Sequence, residues 1–360
     1  MIINATNIGQ RLTGIERYSL SLSLYFLEHW NYPFQLFINK RALSHFEKIK
    51  NKRKIKVVNE SISPDYGFRG HLLRLLWSNK LGLQNPKELI FNASQLEGCL
   101  LHKNQIITVH DVIPLIFRHR YKKQYLYFRY MLPVVMRDSA RILTGSHHTK
   151  HLIMKFYKIP EKKIVVIPYG ISDFLLNQTP RRDKQSYILY VGRLSPEKNV
   201  EGLMKAFEIL IDRHSLELRL RITGDERKLN FAINENIRDK IEFVGYPRDD
   251  RLKELYRNAL LLVFPSLYEG FGFPPLEAMA CGCPVVVSKV ASLPEVCGDA
   301  AYYVDPHDIE GIAEGIYKVL ADGTLRQSLI EKGLERAQFF SWEKSAREHI
   351  KVFEEVINGV

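Results

Sequence analysis

Short apolar segments alternate with longer amphipathic segments along the first half of the chain. The segment 14–30 repeats apolar residues at helical spacing, whereas the short segments are rich in β-branched and aromatic residues and are candidate strands. These candidate strands occupy residues 2–4, 34–38, 54–58, 88–92, 105–110, 141–146 and 163–168. The alternation predicts a parallel sheet covered by helices.

A second series of the same kind follows a polar stretch at 172–186, which is predicted to be a linker. Its candidate strands occupy residues 187–192, 218–224, 241–245, 260–266 and 284–288. A chain of 360 residues is long enough for two cores. We therefore expect an α/β fold of two doubly wound, Rossmann-like domains that face a central cleft, with ligands at the carboxyl ends of the strands.

The predicted domain boundaries follow from these two series. The first domain is expected to span residues 1–175 and the second residues 184–340. Residues 341–360 begin with Ser341, a favourable N-cap, and continue with helical periodicity. They are predicted to form a last helix that packs back towards the first domain.

Composition and the N-terminus favour a globular cytoplasmic protein. The longest apolar runs, at 132–136 and 259–264, are far shorter than the ~20 residues that cross a bilayer. The first residues lack the basic region and apolar stretch of a secretory signal. The four cysteines have no metal-ligand spacing, and reduced thiols are typical of the cytosol.

The positive charge is concentrated in the first half of the chain. Residues 1–180 hold 27 Lys and Arg against 11 Asp and Glu, a net charge of +16, whereas the remainder holds 25 against 29. Such an excess attracts nucleic acid, an anionic membrane surface or an acidic substrate.

Two glutamates frame a glycine-containing turn between a candidate strand and a candidate helix. Glu269 precedes Gly270, Phe271 and Gly272, and Glu277 lies near the start of the helix that follows. Amides at a helix N-terminus attract anions, and the glycines allow a ligand to approach closely. Carboxylates accept hydrogen bonds from sugar hydroxyls, so the stretch indicates a nucleotide and a sugar. For Glu277 alone, a favourable interaction with the helix dipole is an equally good explanation.

Two cations follow the first strand of the second series. Arg193 lies at the strand end, and Lys198 lies where a helix should begin. Arg makes paired hydrogen bonds to phosphate and Lys supplies a point charge, so the pair is suited to a phosphate group. The alternative is that both are ordinary solvated surface residues.

Together, these segments resemble the glycosyltransferases of family 4, which are retaining enzymes with the GT-B fold. The resemblance covers essentially the whole chain, is strongest from 187 to 310, and is closest to bacterial mannosyltransferases of O-antigen and exopolysaccharide pathways. The matching segments, in family order, are YVGRLSPEKN (190–199), TGD (223–225), FVGYP (243–247), SLYEGFGFPPLEAMACGCPVVVS (266–288) and LPEVCGDAAYYVDPHD (293–308).

The resemblance implies an acceptor-binding first domain and a nucleotide-sugar-binding second domain. Glu269 would contact the donor sugar and Glu277 the ribose, while Arg193 and Lys198 would neutralise the departing diphosphate. The amides of the turn would face the sugar and the diphosphate. Further donor contacts are implied at Gly224, Val244, Gly245 and Tyr246, in a region, 224–246, whose shape decides which base is bound.

In the first half, the resemblance implies a role for three more residues. His110 and Asp111 match a His-Asp pair of the family, and His110 would contact the donor sugar, although a lone histidine is more often structural. Gly14 corresponds to the glycine loop after the first strand. The usual adjacent glycine pair is replaced here by Thr13 and Gly14.

The expected reaction is retaining transfer of a hexose without metal or cofactor. The resemblance implies mannose from GDP-mannose and a growing glycan or a polyprenyl-diphosphate-linked acceptor, in bacterial surface polysaccharide synthesis. The sequence contains no Asp-x-Asp pair, which disfavours the metal-dependent GT-A class. The alternatives are a UDP-hexose or other nucleotide-sugar donor, a nucleotide-sugar epimerase or phosphorylase, and a non-catalytic nucleotide-sugar-binding protein.

The segment 117–131 interleaves Arg and Lys with aromatic residues. It is either an amphipathic element at an anionic membrane surface or a solvated helix with an aromatic core face. The resemblance favours the membrane, and with it a peripheral location on the cytoplasmic face of the inner membrane. Nucleic acid is not an expected partner, because no nucleic-acid-binding module is recognisable.

Overall fold

The structure is a computed structural model that describes residues 1–10, 12–172, 175–176 and 184–359. The chain divides into two compact units. The first unit comprises Met1–Gly170 and Ser341–Val360, and the second comprises Ile171–Phe340. Most of the predicted linker at 172–186 lies outside the described residues.

The first unit contains a seven-stranded parallel sheet with the order β3-β2-β1-β4-β5-β6-β7. All seven strands predicted for this half are confirmed. Because β1 lies between β2 and β4, the strand order reverses there, and ligands bind parallel sheets at such a point. The strands are β1 Ile2–Asn4, β2 Gln35–Asn39, β3 Ile55–Val58, β4 Ile90–Asn92, β5 Gln105–Thr108, β6 Arg141–Thr144 and β7 Ile164–Val166.

Helices connect these strands, as the amphipathic pattern predicts. The α-helices are α1 Gly14–His29, α2 Gly67–Gln84, α3 Ile113–Ile116, α4 Lys122–Leu126, α5 Leu132–Asp138 and α6 His147–Tyr157. A π-helical turn, Tyr127–Met131, joins α4 to α5. Short 3-10 helices are Lys40–Phe46, Lys52–Lys54, Glu60–Ile62, Pro64–Tyr66, Gln95–Glu97 and Glu161–Lys163.

The second unit contains a six-stranded parallel sheet with the order β10-β9-β8-β11-β12-β13. The five predicted strands are confirmed, and their order reverses at β8. The strands are β8 Tyr187–Tyr190, β9 Arg219–Ile222, β10 Ile241–Phe243, β11 Leu261–Phe264, β12 Val285–Ser288 and β13 Tyr302–Val304. The sequence analysis did not assign β13, a three-residue edge strand with two half-buried tyrosines.

The helices of the second unit are α7 Val200–His214, α8 Asp249–Asn258, α9 Phe273–Ala280, α10 Leu293–Cys297, α11 Ile309–Ala321 and α12 Gly323–Gln338. Its 3-10 helices are Pro196–Lys198, Glu226–Lys228 and Glu235–Lys240. One detail differs from expectation: β8 ends at Tyr190, so Gly192 and Arg193 lie in the loop beyond it.

The last helix, α13, spans Trp342–Asn358 and belongs to the first unit. The predicted cap is confirmed, because Ser341 Oγ accepts the Lys344 N–H at 3.1 Å. The Tyr18 hydroxyl lies 2.7 Å from His349 Nε2. His349 Nδ1 contacts the Ser345 carbonyl at 2.7 Å and therefore carries the proton, so Tyr18 donates to Nε2. This buried bond ties α13 to α1.

Two further properties of the described residues bear on the sequence analysis. No helix among them is both long and apolar enough to cross a membrane. Cys99, Cys281, Cys283 and Cys297 are all buried free thiols.

Candidate active site

Lys198 and Glu269 form an ion pair at the carboxyl edge of the second sheet. Lys198 Nζ lies 2.6 Å from Glu269 Oε1, and Ser266 Oγ donates to the same oxygen at 2.9 Å. Lys198 follows β8 and Glu269 follows β11, and these strands are neighbours, so their loops meet. The two side chains are only 14% and 9% exposed, and solvent therefore screens their attraction weakly.

Arg193 differs from Lys198 in its surroundings. Its backbone carbonyl accepts the Tyr190 hydroxyl at 2.8 Å, while the residue itself is exposed. Burial, followed by the nearby carboxylates of Glu269 and Glu197, raises the pKa of Tyr190 well above its usual value, so the phenol remains a donor. The loop is thus anchored through its backbone, and the guanidinium is left at the surface.

The turn after Glu269 has a geometry that requires glycine. Gly272 has φ of +106°, and a Cβ there would lie 2.7 Å from Leu293 Cδ2. Phe271 is buried against Phe273 and Phe340, with ring centroids 5.2 and 5.9 Å away. α9 begins immediately after Gly272, so the turn delivers its amides to a helix N-terminus, where anions are favoured.

Glu277 lies within α9 and is held from α8. The Tyr256 hydroxyl donates to Glu277 Oε2 at 2.8 Å, and both residues are buried. The hydrogen bond from Tyr256 therefore fixes Glu277 in addition to the helix-dipole interaction that the sequence indicated.

The loops after β9 and β10 are joined at two glycines. Gly224 N–H donates to the Gly245 carbonyl at 2.7 Å, and both have positive φ, +114° and +68°. The Val244 N–H donates to the Ile222 carbonyl at 2.9 Å, which extends the contact. Tyr246 is exposed beside them, with Lys228 Nζ 4.9 Å from its ring centroid. The four residues predicted as donor contacts in this region thus form one surface.

His110 is buried in the first unit with both ring nitrogens engaged. Nε2 lies 2.9 Å from the Ala93 carbonyl and must donate to it, so Nδ1 accepts the Tyr169 hydroxyl at 2.7 Å. Burial lowers the pKa of His110 to about 4, and the ring is neutral. Its side chain is a structural link in this state, and its contact with a donor sugar stays a prediction.

The two other residues predicted in the first unit lie at helix starts. Asp111 is half-buried and its Oδ1 accepts the Ile113 N–H at 3.0 Å, at the beginning of α3. Gly14 is the first residue of α1, and the Thr13 N–H donates to the Glu16 carboxylate. Arg11 of the same loop lies outside the described residues.

No metal-binding group is evident in the described part of the chain, where no three His, Cys, Asp or Glu side chains are grouped to hold an ion. The groups near the turn that suit a nucleotide diphosphate are the Lys198 ammonium and the amides before α9.

Two family models match the chain, one to each half. Residues 13–173 match "Glycosyltransferase Family 4" and residues 172–336 match "Glycosyl transferases group 1". The O-antigen chain mannosyltransferase B of Escherichia coli is 30% identical over an alignment that covers 98% of this chain and 99% of that protein. The chain belongs to glycosyltransferase family 4. It is therefore an enzyme that transfers a sugar, as predicted.

Other matches agree with this family. This glycosyltransferase is 31% identical to the O-antigen chain mannosyltransferase RfbU of Salmonella typhimurium, with 86% of this chain and 87% of RfbU covered. Sucrose-phosphate synthase from Thermosynechococcus elongatus has a similar structure, with a TM-score of 0.77, 19% identity and coverage of 100% and 99%. At that identity the likeness shows the fold alone, and the predicted GT-B fold class is confirmed.

Several residues that hold the glycosyltransferase's candidate groups in place were missed by the sequence analysis. Their signals are weak, because each is a common core or loop residue whose partner lies 21 or more residues away, apart from Ser266, three residues before Glu269. They are Ser266, Ser292, Tyr256 and Tyr169.

Proposed function

We propose that this glycosyltransferase moves mannose from GDP-mannose to a growing glycan or a polyprenyl-diphosphate-linked acceptor in bacterial surface polysaccharide synthesis. The observation that carries the proposal is the Lys198–Glu269 pair beside the turn that opens α9. Mannose and the O-antigen pathway are taken from the names of the two similar mannosyltransferases.

In the proposed reaction, the bond between the anomeric carbon and the diphosphate oxygen breaks, and the electron pair leaves with the diphosphate. The Lys198 ammonium and the amides of residues 270–272 stabilise the charge that develops there, which is usually the largest catalytic contribution. Glu269 orients the sugar through its hydroxyls, and Arg193 adds charge from the surface. The acceptor hydroxyl attacks from the side that the diphosphate leaves, and a departing phosphate oxygen takes its proton. The sugar configuration is retained, and neither a protein nucleophile nor a metal takes part.

The rest of the donor would lie along the same edge of the second unit. Glu277 accepts hydrogen bonds from the ribose hydroxyls. The base lies against the loops after β9 and β10, at Gly224, Val244, Gly245 and Tyr246. A UDP-hexose donor is the main alternative, because base choice depends on small differences in this region. A protein that binds a nucleotide sugar without transferring it is the second alternative.

Thermal unfolding in the presence of nucleotides tests the donor. We expect GDP and GDP-mannose to raise the melting temperature more than UDP, ADP, dTDP and their sugars, because ligands that bind only the folded state stabilise it. At a ligand concentration 100 times Kd, the free energy of unfolding rises by about 2.7 kcal/mol. A larger shift with UDP-sugars would replace the proposed donor. No shift with any nucleotide would contradict the donor site itself. If the sugar nucleotide is bound but its nucleotide product forms only slowly with every acceptor, the non-catalytic alternative is favoured.

We also propose that the first unit docks on an anionic membrane surface, where a lipid-linked acceptor is presented. Helix α2 carries four large apolar side chains, each between 47% and 62% exposed: Phe68, Leu72, Leu76 and Leu83. Their spacing places them on one stripe of the helix. An exposed apolar stripe of this kind is typical of a protein or membrane contact.

The charges around this stripe favour a bilayer with anionic lipids. Lys123 Nζ lies 4.7 Å from the Phe68 ring centroid, so the predicted basic segment 117–131 adjoins α2. Residues 66–87 and 112–137 contain nine exposed Lys and Arg and no Asp or Glu, while the tenth cation, Arg74, is buried against Glu97. In the basic segment Tyr127 and Phe128 pack into the core, while Leu126 and Tyr130 are exposed. The segment therefore has both the core face of an ordinary helix and an outer apolar and basic face.

Sedimentation with vesicles tests the membrane contact. We expect binding to require anionic lipid and to weaken with salt. Changing Lys122 and Lys123 to Gln should weaken it roughly thirtyfold, since each Lys contributes about 1 kcal/mol near such a surface. The double variant Leu72→Ser, Leu76→Ser should weaken binding even at low salt, whereas Phe339→Ser, an equally exposed apolar residue of the second unit, should not. Equal binding to neutral vesicles would refute the contact.

A further inference from the structure

Ser292 occupies a helix N-cap without capping the helix. It precedes α10, and a serine there normally accepts an N–H from the first turn. Among the described residues of that turn, none donates to its hydroxyl. Instead, Ser292 Oγ lies 3.1 Å from the Glu269 carbonyl oxygen and 2.9 Å from the Phe271 carbonyl oxygen. The side chain is fully buried, so its single proton is shared between these two carbonyls.

This contact fixes the direction of two amides. In a trans peptide group, the carbonyl of one residue and the N–H of the next point in opposite directions, and the described residues contain no cis peptide. The Glu269 carbonyl shares its peptide group with the Gly270 N–H, and the Phe271 carbonyl shares its own with the Gly272 N–H. With both carbonyls turned towards Ser292, both N–H groups are turned away from it.

The packing of the turn supports the same orientation. A Cβ on Gly272 would meet Leu293, the residue after Ser292, so residues 292 and 293 form a floor beneath the turn. The amides that point away from this floor lie directly before α9. N–H groups of one turn that point to the same side form a concave site for anions.

We infer that Ser292 is a positioning residue that turns the Gly270 and Gly272 amides towards the diphosphate of the donor. The inference rests on the proposed function of the turn as the donor-phosphate site. Without this hydroxyl, two buried carbonyls each lose a hydrogen bond, and such losses are costly in a buried turn. Their peptide groups would rotate to replace that bond, which would bring carbonyl oxygens towards the phosphate and repel it.

The variant Ser292→Ala tests this role. We expect it to weaken binding of GDP and UDP while leaving the much weaker binding of guanosine and uridine unchanged, because only the phosphates face the two amides. Transfer should fall by up to about 10²-fold, the loss that misplacing reacting groups by an ångström can cause. Ser292→Thr, which keeps the hydroxyl, should retain the preference for diphosphates. Calorimetric titration against the four ligands measures that preference directly.

A matched control separates this effect from a general loss of packing. Ser139, in the first unit, is equally buried and donates to the Val135 carbonyl at 2.7 Å, so Ser139→Ala removes a bond of the same kind. It should leave the preference for diphosphates unchanged. If Ser292→Ala does not fold, Ser292→Cys keeps the size with a weak donor and should show the same loss of preference.

The outcomes distinguish the inference from the proposed function. If the unchanged protein binds no nucleoside diphosphate, the donor site itself is wrong, and the role of Ser292 is wrong with it. If the unchanged protein prefers diphosphates and Ser292→Ala prefers them equally, only the positioning role is overturned. Using both GDP and UDP makes the result independent of the base.

Discussion

Replacing Lys198 by Met, or Glu269 by Gln, is expected to lower sugar transfer by about 10²- to 10³-fold, the cost typical of losing one preorganised group that stabilises developing charge. Lys198 has three N–H donors, and the bond to Glu269 uses one of them. The others can bind oxygens of the departing diphosphate. Among the described residues, the side chains that contact the Glu269 carboxylate both do so at Oε1, which leaves Oε2 for a sugar hydroxyl.

The two variants should fail in different ways. In the proposed mechanism, Lys198→Met removes the charge that stabilises the leaving group, so kcat should fall more than donor affinity. In the same mechanism, Glu269→Gln weakens the hydrogen bonds from the donor sugar's hydroxyls and leaves Lys198 without its counter-ion. Both donor affinity and kcat should therefore fall. Steady-state kinetics with the donor identified by thermal shift measures this difference.

An exposed ion pair in the same unit provides the control. Lys205 Nζ lies 2.7 Å from Glu201 Oε1 on α7, and both side chains are about half exposed. The corresponding variants, Lys205→Met and Glu201→Gln, should leave transfer unchanged and alter stability by less than about 1 kcal/mol. Near-normal transfer by both Lys198→Met and Glu269→Gln would mean that the pair is structural and that the active site lies elsewhere.

The strands could be predicted from the sequence because their signal is local. A buried parallel strand is a short apolar run, and the runs at 187–192 and 284–288 show it without any knowledge of their neighbours. The shorter run at 300–304 was not assigned to β13, whose Tyr302 and Tyr303 lie half-buried at the sheet edge. The exposed stripe of α2 was also missed, since periodicity reveals an apolar face and not whether that face is covered.

The candidate site could be predicted only as far as residue types allow. Glycines, cations and carboxylates at strand ends indicated a phosphate and a sugar, and the structure brings Lys198 and Glu269 together across 71 positions of sequence. The direction of a side chain is not encoded in such spacing. His110 turns both nitrogens to Ala93 and Tyr169, and Ser292 turns its hydroxyl to a loop more than 20 residues away. These contacts depend on how the chain folds around each residue.

Replacing Phe353 by Ala is expected to reduce the free energy of unfolding of the first unit by about 3–5 kcal/mol, as is typical of a buried phenylalanine. Phe353 lies on α13 and is fully buried, with ring centroids 4.8 Å from Phe91 and 5.7 Å from both Phe26 and Trp30. Truncation leaves a cavity among large rings that cannot close around it. Calorimetry should therefore show a lower transition temperature for this unit.

The same experiment separates the roles of the two units. Lys351→Ala, two positions away and exposed, should change stability by no more than about 0.5 kcal/mol, because a surface substitution on this helix creates no cavity. The nucleotide should stabilise the second unit, whose residues 171–340 hold most of the proposed donor contacts, while Phe353→Ala lowers the transition of the first. If Phe353→Ala were as stable as Lys351→Ala, the packing of Phe353 would not contribute to the stability of the first unit.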